Sequence, residues 1–206
     1  RVFQADVESG KWRHGRLGPG QGVREARDGR PGGAEGARRL HRMRRDRGRS
    51  IDLDVHDIAR SLRTFGAGTL FVCHPVASQR ALVERIGKHW TTGSGKDRIP
   101  DRAPALSHVR VVESLEQAVA SLGEGAEIWT TAAASRGRSV EEHGALRARL
   151  AQPGPPVLLV FGTGWGLAPS VIDAATRRVA PIFGHGEYNH LSVRAAAAIL
   201  LSRLVG

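Results

Sequence analysis

The chain reads as an α/β domain built on a mostly parallel sheet with helices on both faces. Three observations point there. Short apolar runs alternate with helical patterns from residue 51 to the end. The runs, such as VLLVF at 157–161, are almost wholly apolar, as strands are when helices cover both faces of a sheet. Turns of glycine and small residues follow the runs at 127–130 and 157–161, on the edge where such sheets bind ligands.

Taken in order, DLDVHDIARSLRTFG predicts a helix with Asp54 as N-cap and Gly66 as its stop. TLFVCH (69–74) predicts a buried strand. A helix follows over 78–90, with Ala81, Leu82, Ile86 and Trp90 on one side, then a loop over 91–105. VRVVES (109–114) is a strand and 114–123 a helix capped by Ser114. EIWTTAA (127–133) is a strand, 139–151 a helix, 156–162 a strand and 167–176 a short helix. A last strand over 179–184 precedes a long helix over 189–204.

The 206 residues, 40% hydrophobic, suit one domain of ordinary size plus some extra. One cysteine, Cys73, excludes an internal disulfide and a tetrathiolate zinc site, and a reducing, cytoplasmic setting is the simplest reading. No metal ligation is expected. No apolar run reaches the ~20 residues of a membrane span, and no secretory signal is visible. The chain begins with arginine, so the native N-terminus is expected to lie further upstream.

The net charge of +11 points to a polyanionic partner, but it is uneven. Residues 1–50 hold 14 Lys and Arg against 6 Asp and Glu; the other 156 hold 17 against 14. This Arg/Gly-rich quarter cannot bury much apolar surface and is expected to be irregular or disordered. Three readings of it stand: a basic RNA-binding tail, a solvated extension, or text from a shifted reading frame in a GC-rich gene. The domain proper is then 51–206.

The turn GTGWGL (162–167) is Gly-x-Gly-x-Gly, not the Gly-x-Gly-x-x-Gly of a dinucleotide fold. It lies late in the chain, with no acidic residue ~20 positions on for a ribose and no phosphate-binding lysine pattern. It either makes a tight turn alone or holds something uncharged.

Three segments together carry a family resemblance: DLDVHDIARSLRTFG, LLVFGTGWGLAPSVID and PIFGHGEYNHLSVRAAAAILLSRL. They resemble the motifs of the SPOUT superfamily of RNA methyltransferases, in the subfamily related to bacterial tRNA guanine-N1 methyltransferases. Coverage is about 52–206. The resemblance implies an S-adenosylmethionine-dependent enzyme acting on RNA, with tRNA as the target class by analogy. It implies a homodimer and a C-terminal deep trefoil knot, which general rules of chain connection would not suggest. Such domains also carry a first strand some 25–30 residues ahead of the DLDVHDIAR helix. RVFQADV is able to supply a strand but is too far upstream and poorly patterned for it, so the sheet is expected to lack one, as a frameshift at Ser50–Ile51 would produce. The alternatives from another class are a non-catalytic RNA- or nucleotide-binding domain, or an inactive product disrupted at its N-terminus.

Mapped here, the resemblance gathers three loops around the cofactor: Thr130, Thr131 and Ala132; Phe161, Gly162, Thr163, Gly164, Gly166 and Leu167; and Ile182, Gly184, Leu191 and Ser192. Glycine lets backbone groups approach a neutral, flat adenine, which needs hydrogen bonds and apolar cover rather than a lysine. Leu167, Ile182 and Leu191 are equally readable as core. Thr130 and Thr131 either bond the ribose or cap a turn. Trp165 either stacks on a base or shields the loop.

Transfer of a methyl group needs the acceptor positioned and its proton removed. Arg60 is the candidate for contacting the acceptor or a phosphate. His56 and Asp57, read at a helix start, are candidate bases, with capping as the alternative. Asn189, His190 and Ser192 lie at the expected start of the last helix, where N–H groups meet substrate, and Glu187 is a candidate base or partner to Arg60. RNA would be held by Arg60, Arg63, Lys96, Arg136, Arg138 and Arg194, each also readable as an ordinary surface charge. Cys73 reads as inert packing.

Overall fold

The computed structural model describes the backbone of Val2–Val7 and of residues 38–206 except Glu187, and side chains from Asp52 onward. Residues 1, 8–37 and 187 lie outside the description, and with them most of the readings made of residues 1–50 and of Glu187.

The elements run β1 (Val2–Val7), α1 (Arg38–Phe65), β2 (Leu70–Cys73), α2 (Ala77–Thr91), α3 (Gly95–Arg98), α4 (Arg102–Leu106), β3 (Val109–Val112), α5 (Leu115–Ala120), β4 (Glu127–Thr130), α6 (His143–Leu150), β5 (Val157–Gly162), α7 (Pro169–Asp173), β6 (Arg177–Arg178) and α8 (Val193–Val205). They form one sheet in the order β3-β2-β1-β5-β4-β6. The pairs β2–β3, β4–β5 and β4–β6 are parallel, as expected.

The exception is β1, which runs antiparallel to both neighbours: Val2 pairs with Cys73 on one side and Gly162 on the other. This corrects the expectation that the sheet lacks a strand and that RVFQADV lies too far upstream. Only pairing across the sheet decides that role, because β1 bridges β2 and β5, which are far from it in sequence. The long stretch before α1 also removes any need for a short connection.

Helix α1 begins at Arg38, so Asp54, His56 and Asp57 lie in its interior rather than at an N-terminus. Asp54 is therefore no cap; it is buried and ion-paired to Arg194 on α8 at 2.9 Å. The predicted stop holds: Gly66 has φ +69°, a left-handed conformation that suits glycine, and Ala67 N–H returns to Leu62 O at 2.9 Å. Val55, Ile58, Ala59 and Leu62 follow helical spacing and are all buried, which fixes the face of α1 turned to the sheet. On α2 the buried residue is Val83, with Leu82, Ile86 and Trp90 partly buried; Ala81, expected inward, is exposed. The expected loop over 91–105 contains α3 and α4, and α4 buries Ala105 and Leu106.

Strand β5 shows why its sequence is apolar throughout. Val157, Leu159 and Phe161 enter the larger core with α1, α4, α6 and α8, while Leu158 and Val160 enter a second core beneath α5. Ser114 caps α5 by accepting from Gln117 N–H, as predicted. Strand β6 lies at Arg177–Arg178, ahead of the strand expected over 179–184, which does not form because the partner β4 ends at Thr130, opposite Arg178. Beyond it, Val179 N–H donates to Thr130 O at 2.9 Å and Ala180 N–H to Glu141 O, and none of the described residues from Ala180 to Ser192 lies in a helix or strand.

One buried ionic cluster pins β4. Glu127, at its start, accepts from Trp129 Nε1 at 2.8 Å, from Arg177 Nε at 3.1 Å and from Arg149 of α6. Arg177 also makes a two-pronged pair with Glu141 at 2.8 and 2.9 Å. Burial would raise the Glu127 carboxyl, but the bonds from Arg149, Trp129 and Arg177 outweigh it and hold the group below its ordinary value. Removing the carboxylate takes the bonding partner from Trp129 Nε1 and Arg149 and leaves Arg177 with Glu141 alone. Glu127→Ala is expected to cost about 2–4 kcal/mol in urea denaturation at pH 7. Glu127→Gln, which keeps the shape and one acceptor, is expected to cost about half as much. A loss below about 0.5 kcal/mol in Glu127→Ala would show that the cluster does not stabilise the sheet.

Candidate functional site

The parallel pair β4–β5 ends with Thr130 beside Val160, so the loops that leave both strands emerge from the same edge. The first loop is tied down at once. Thr131 donates from its backbone and its hydroxyl to Val160 O, at 3.1 and 3.0 Å. Two residues on, Ala133 O accepts from Asn189 Nδ2 at 2.8 Å, joining the loop after β4 to the segment before α8. Further out, Arg138 pairs with Asp173 on α7 at 3.0 Å. The resemblance thus named three loops that the fold brings to one end of the sheet.

The loop after β5 is a close fold of its own backbone. A Cβ on Gly162 would sit 2.4 Å from Gly166 C and 2.6 Å from Leu167 N, so this glycine is required by the turn itself. Gly164 and Gly166 have φ of +62° and +87°, and a Cβ on either would meet nothing within 4 Å. Gly184 is equally open. The backbone at these positions is accessible, and no lysine lies in the loop, which fits a neutral adenosine-like group better than a phosphate. Leu167 and Ile182 are partly buried against the two cores, and Phe161 is fully in the core. Thr130 is buried, while Ala132, Leu191 and Ser192 are exposed.

Helix α8 starts at Val193, later than expected, with Ser192 as N-cap accepting from Ala195 N–H. Asn189 and His190 therefore precede the helix, and Asn189 acts by bridging loops. Ser192 also lines an open depression of about 450 Å³ between α1 and α8, with Asp57, Arg60, Ser61, Thr64, Phe65, Arg194, Ala195 and Ala198. In it Arg194 reaches Asp54 at 2.9 Å and Asp57 at 3.5 Å, so two carboxylates hold this cation. Arg60 is exposed and only loosely paired with Asp57, at 3.9 Å.

His56 does not line the depression. It is buried on a neighbouring face of α1, edge-on to Trp90 of α2 with ring centres 5.3 Å apart, and Arg102 of α4 stacks over that Trp90. Its Nε2 is 3.1 Å from Asp52 Oδ1 but outside hydrogen-bond geometry, and neither ring nitrogen has a bond among the described residues. Burial lowers its pKa below the ordinary histidine value, with Arg102 acting the same way and Asp52 and Asp57 opposing. Arg63, Lys96 and Arg136 are exposed, and Trp165 is fully so. Phe183 and Tyr188 are also exposed, at 71% and 80%. The sequence pattern places Phe183 in the last strand, and no local signal distinguishes it from a strand residue. Glu127 and Asp173 likewise gave no sign of their arginine partners, which lie 22 to 50 residues away in sequence. Cys73 is free and buried, and burial raises its thiol pKa, as inert packing requires.

A family described as SAM-dependent RNA methyltransferase matches residues 49–206. A tRNA (guanine-N(1)-)-methyltransferase from Nitratidesulfovibrio vulgaris is 40% identical over 157 residues, which are 75% of this chain and 36% of that protein. An uncharacterised protein from Aquifex aeolicus is 31% identical over 156 residues, 74% of this chain and 76% of that one. The crystal structure of a methylase family protein from Neisseria gonorrhoeae shares the fold, with a TM-score of 0.56 and 19% identity, over 75% of this chain and 76% of that one. The chain belongs to the family of S-adenosylmethionine-dependent RNA methyltransferases, as its motifs implied. It spans about a third of the length of the tRNA methyltransferase it matches.

The environment of His56 sets a pH dependence. Its lowered pKa means that, as pH falls through the ordinary histidine value of about 6.5, the unfolded chain takes up a proton that the folded chain resists. The stability due to neutral His56 is complete above that value and is lost below it, toward the folded pKa. Urea midpoints between pH 7.5 and 5 are expected to fall more steeply for the native protein than for His56→Gln. Parallel curves would show that His56 titrates alike in both states.

Proposed function

We propose that this chain is a methyltransferase domain that binds S-adenosylmethionine in the three loops at the carboxyl ends of β4 and β5 and acts on RNA, with tRNA as the substrate class. What carries the reading is the accessible, lysine-free glycine backbone at Gly164, Gly166 and Gly184, beside loops cross-tied by Thr131 and Asn189. The family membership supports the cofactor. The tRNA class rests on the name of the Nitratidesulfovibrio relative.

In this reading Thr130, Thr131, Ala132, Gly162, Thr163, Gly164, Gly166, Leu167, Ile182, Gly184, Leu191 and Ser192 enclose the cofactor. The cofactor, when bound, supplies an activated sulfonium methyl. The depression between α1 and α8 receives the acceptor nucleotide. Arg60, exposed and loosely paired, contacts the acceptor or its phosphate, and Asp57 is the carboxylate placed to take its proton. Arg194 is first a positioning cation that orders Asp54 and Asp57. Arg63, Arg136 and Trp165 meet the RNA beyond the site. His56 is assigned to packing α1 against α2 and α4 rather than to proton transfer. The C-terminal helix α8 is proposed to thread the knot of the SPOUT fold, and the domain to work as a homodimer in the cytoplasm. The cross-tie from Asn189 to Ala133 supports the first of these, and the free, buried Cys73 suits the last.

Calorimetry of the full chain with S-adenosylmethionine tests the cofactor site, with saturable one-to-one binding expected. Gly164→Val forces a β-branched residue into φ +62°, a strain of about 1–2 kcal/mol that moves the loop. It is expected to weaken binding at least tenfold while the protein stays folded. A folded native protein without affinity would sink the enzyme reading, and full affinity in Gly164→Val would remove the glycine loop from the pocket.

A further inference from the structure

Arg136 is the sole non-glycine residue with positive φ among the described residues, at +49°. It is followed by Gly137 at φ +77°, and Arg138 N–H closes the turn onto Ser135 O at 3.0 Å. Two successive left-handed residues closed by this bond make a type I′ turn, whose central positions glycine, asparagine or aspartate fill at lower cost. An arginine there is strained, and no hydrogen bond or ion pair of its side chain compensates it among the described residues. Its side chain is exposed and takes part in no ion pair among the described residues. The neighbouring Arg138 is the opposite case, spent on Asp173 at 3.0 Å.

The turn is nevertheless firmly held. Its loop is bonded to β5 through Thr131, to the segment before α8 through Ala133 O, and to α7 through Arg138. A strained residue on an anchored loop, carrying a long cation that the fold does not use, has its function outside the chain. We propose that Arg136 is held at the tip of this turn to grip one RNA backbone phosphate, fixing the strand relative to the three-loop site. A phosphate, rather than a base edge, is the fitting ligand. The flanking Ser135 and Gly137 offer little further surface to read a base, and a guanidinium pairs with phosphate oxygens in any sequence. The proposal rests on the reading of the domain as an RNA methyltransferase and adds to it a rigid phosphate contact. Arg138 is its positioning residue.

The test uses the full chain and an unmodified tRNA transcript, with binding measured from 50 to 200 mM salt and S-adenosylmethionine binding measured in parallel. Arg136→Gly removes the cation and the strain together. It is expected to lower the unfolding equilibrium constant about two- to fivefold while weakening RNA binding about five- to tenfold at low salt. The slope of log affinity against log salt should fall by about 0.7–0.9, one phosphate's worth. Arg136→Lys should restore much of the affinity, as a phosphate contact allows. Cofactor affinity should not change in either variant. Unchanged RNA affinity and salt slope in Arg136→Gly, with native RNA and cofactor binding intact, would overturn the proposal and leave the methyltransferase reading standing. Lost stability in Arg136→Gly would also overturn it, by showing that the side chain serves the fold. Absence of both RNA and cofactor binding in the native protein would overturn the two together.

Discussion

The parallel pairing of β4 with β5 is the constraint on which the rest of the molecule depends. Because the strands run the same way in register from Glu127 opposite Val157 to Thr130 opposite Val160, they release their chains at one edge and one level. Every loop assigned to the cofactor leaves that edge or is tied to it. The pairing is secured at both ends. At the start, Glu127 gathers Trp129, Arg149 and Arg177; at the finish, Thr131 doubles its bonds to Val160 O. Between them, the alternating burial of Val157 to Phe161 sets β5 between two cores, so the strand cannot slip by one residue without exchanging its two faces.

A second fixed relation is that of α1 to α8. Their packing is apolar on the side of the sheet, through Ile58, Leu62, Ala197 and Leu201, and ionic above it, through Asp54, Asp57 and Arg194. The ionic layer does two things. It satisfies a buried carboxylate, and it leaves Arg60 exposed and loosely paired in the depression while Arg194 is held by two carboxylates. Two arginines that look alike in the sequence thereby take different work. The same distinction separates Arg138, tied to α7, from Arg136 at the turn beside it.

The order of strands and helices was legible because it rests on local signals: unbroken apolar runs, glycine stops and the Ser114 cap. The glycine loop and the pattern before α8 were legible through their resemblance to a family, and the fold brings them to one end of the sheet. What was hidden depends on partners distant in sequence. Val2–Val7 became a strand through pairing with β2 and β5, which its own pattern does not announce. Asp54 looked like a cap because an acidic residue ahead of an apolar period usually is one, but the Arg-rich text before it continues the helix. His56 shared a short stretch with Asp57 and Arg60, yet the turn of the helix sends it to the core and them to the depression. The strand expected over 179–184 does not form, because β4 ends opposite Arg178, and Phe183 is left in solvent.

The central claim is that three loops, at 130–133, 161–167 and 182–192, form one cofactor pocket distinct from the depression between α1 and α8. Amide hydrogen exchange of the full chain with and without saturating S-adenosylmethionine tests this most directly. The account predicts slowed exchange in all three loops at once, with the amides of 57–65 little changed. Protection confined to 57–65, or to only one of the three loops, would contradict it.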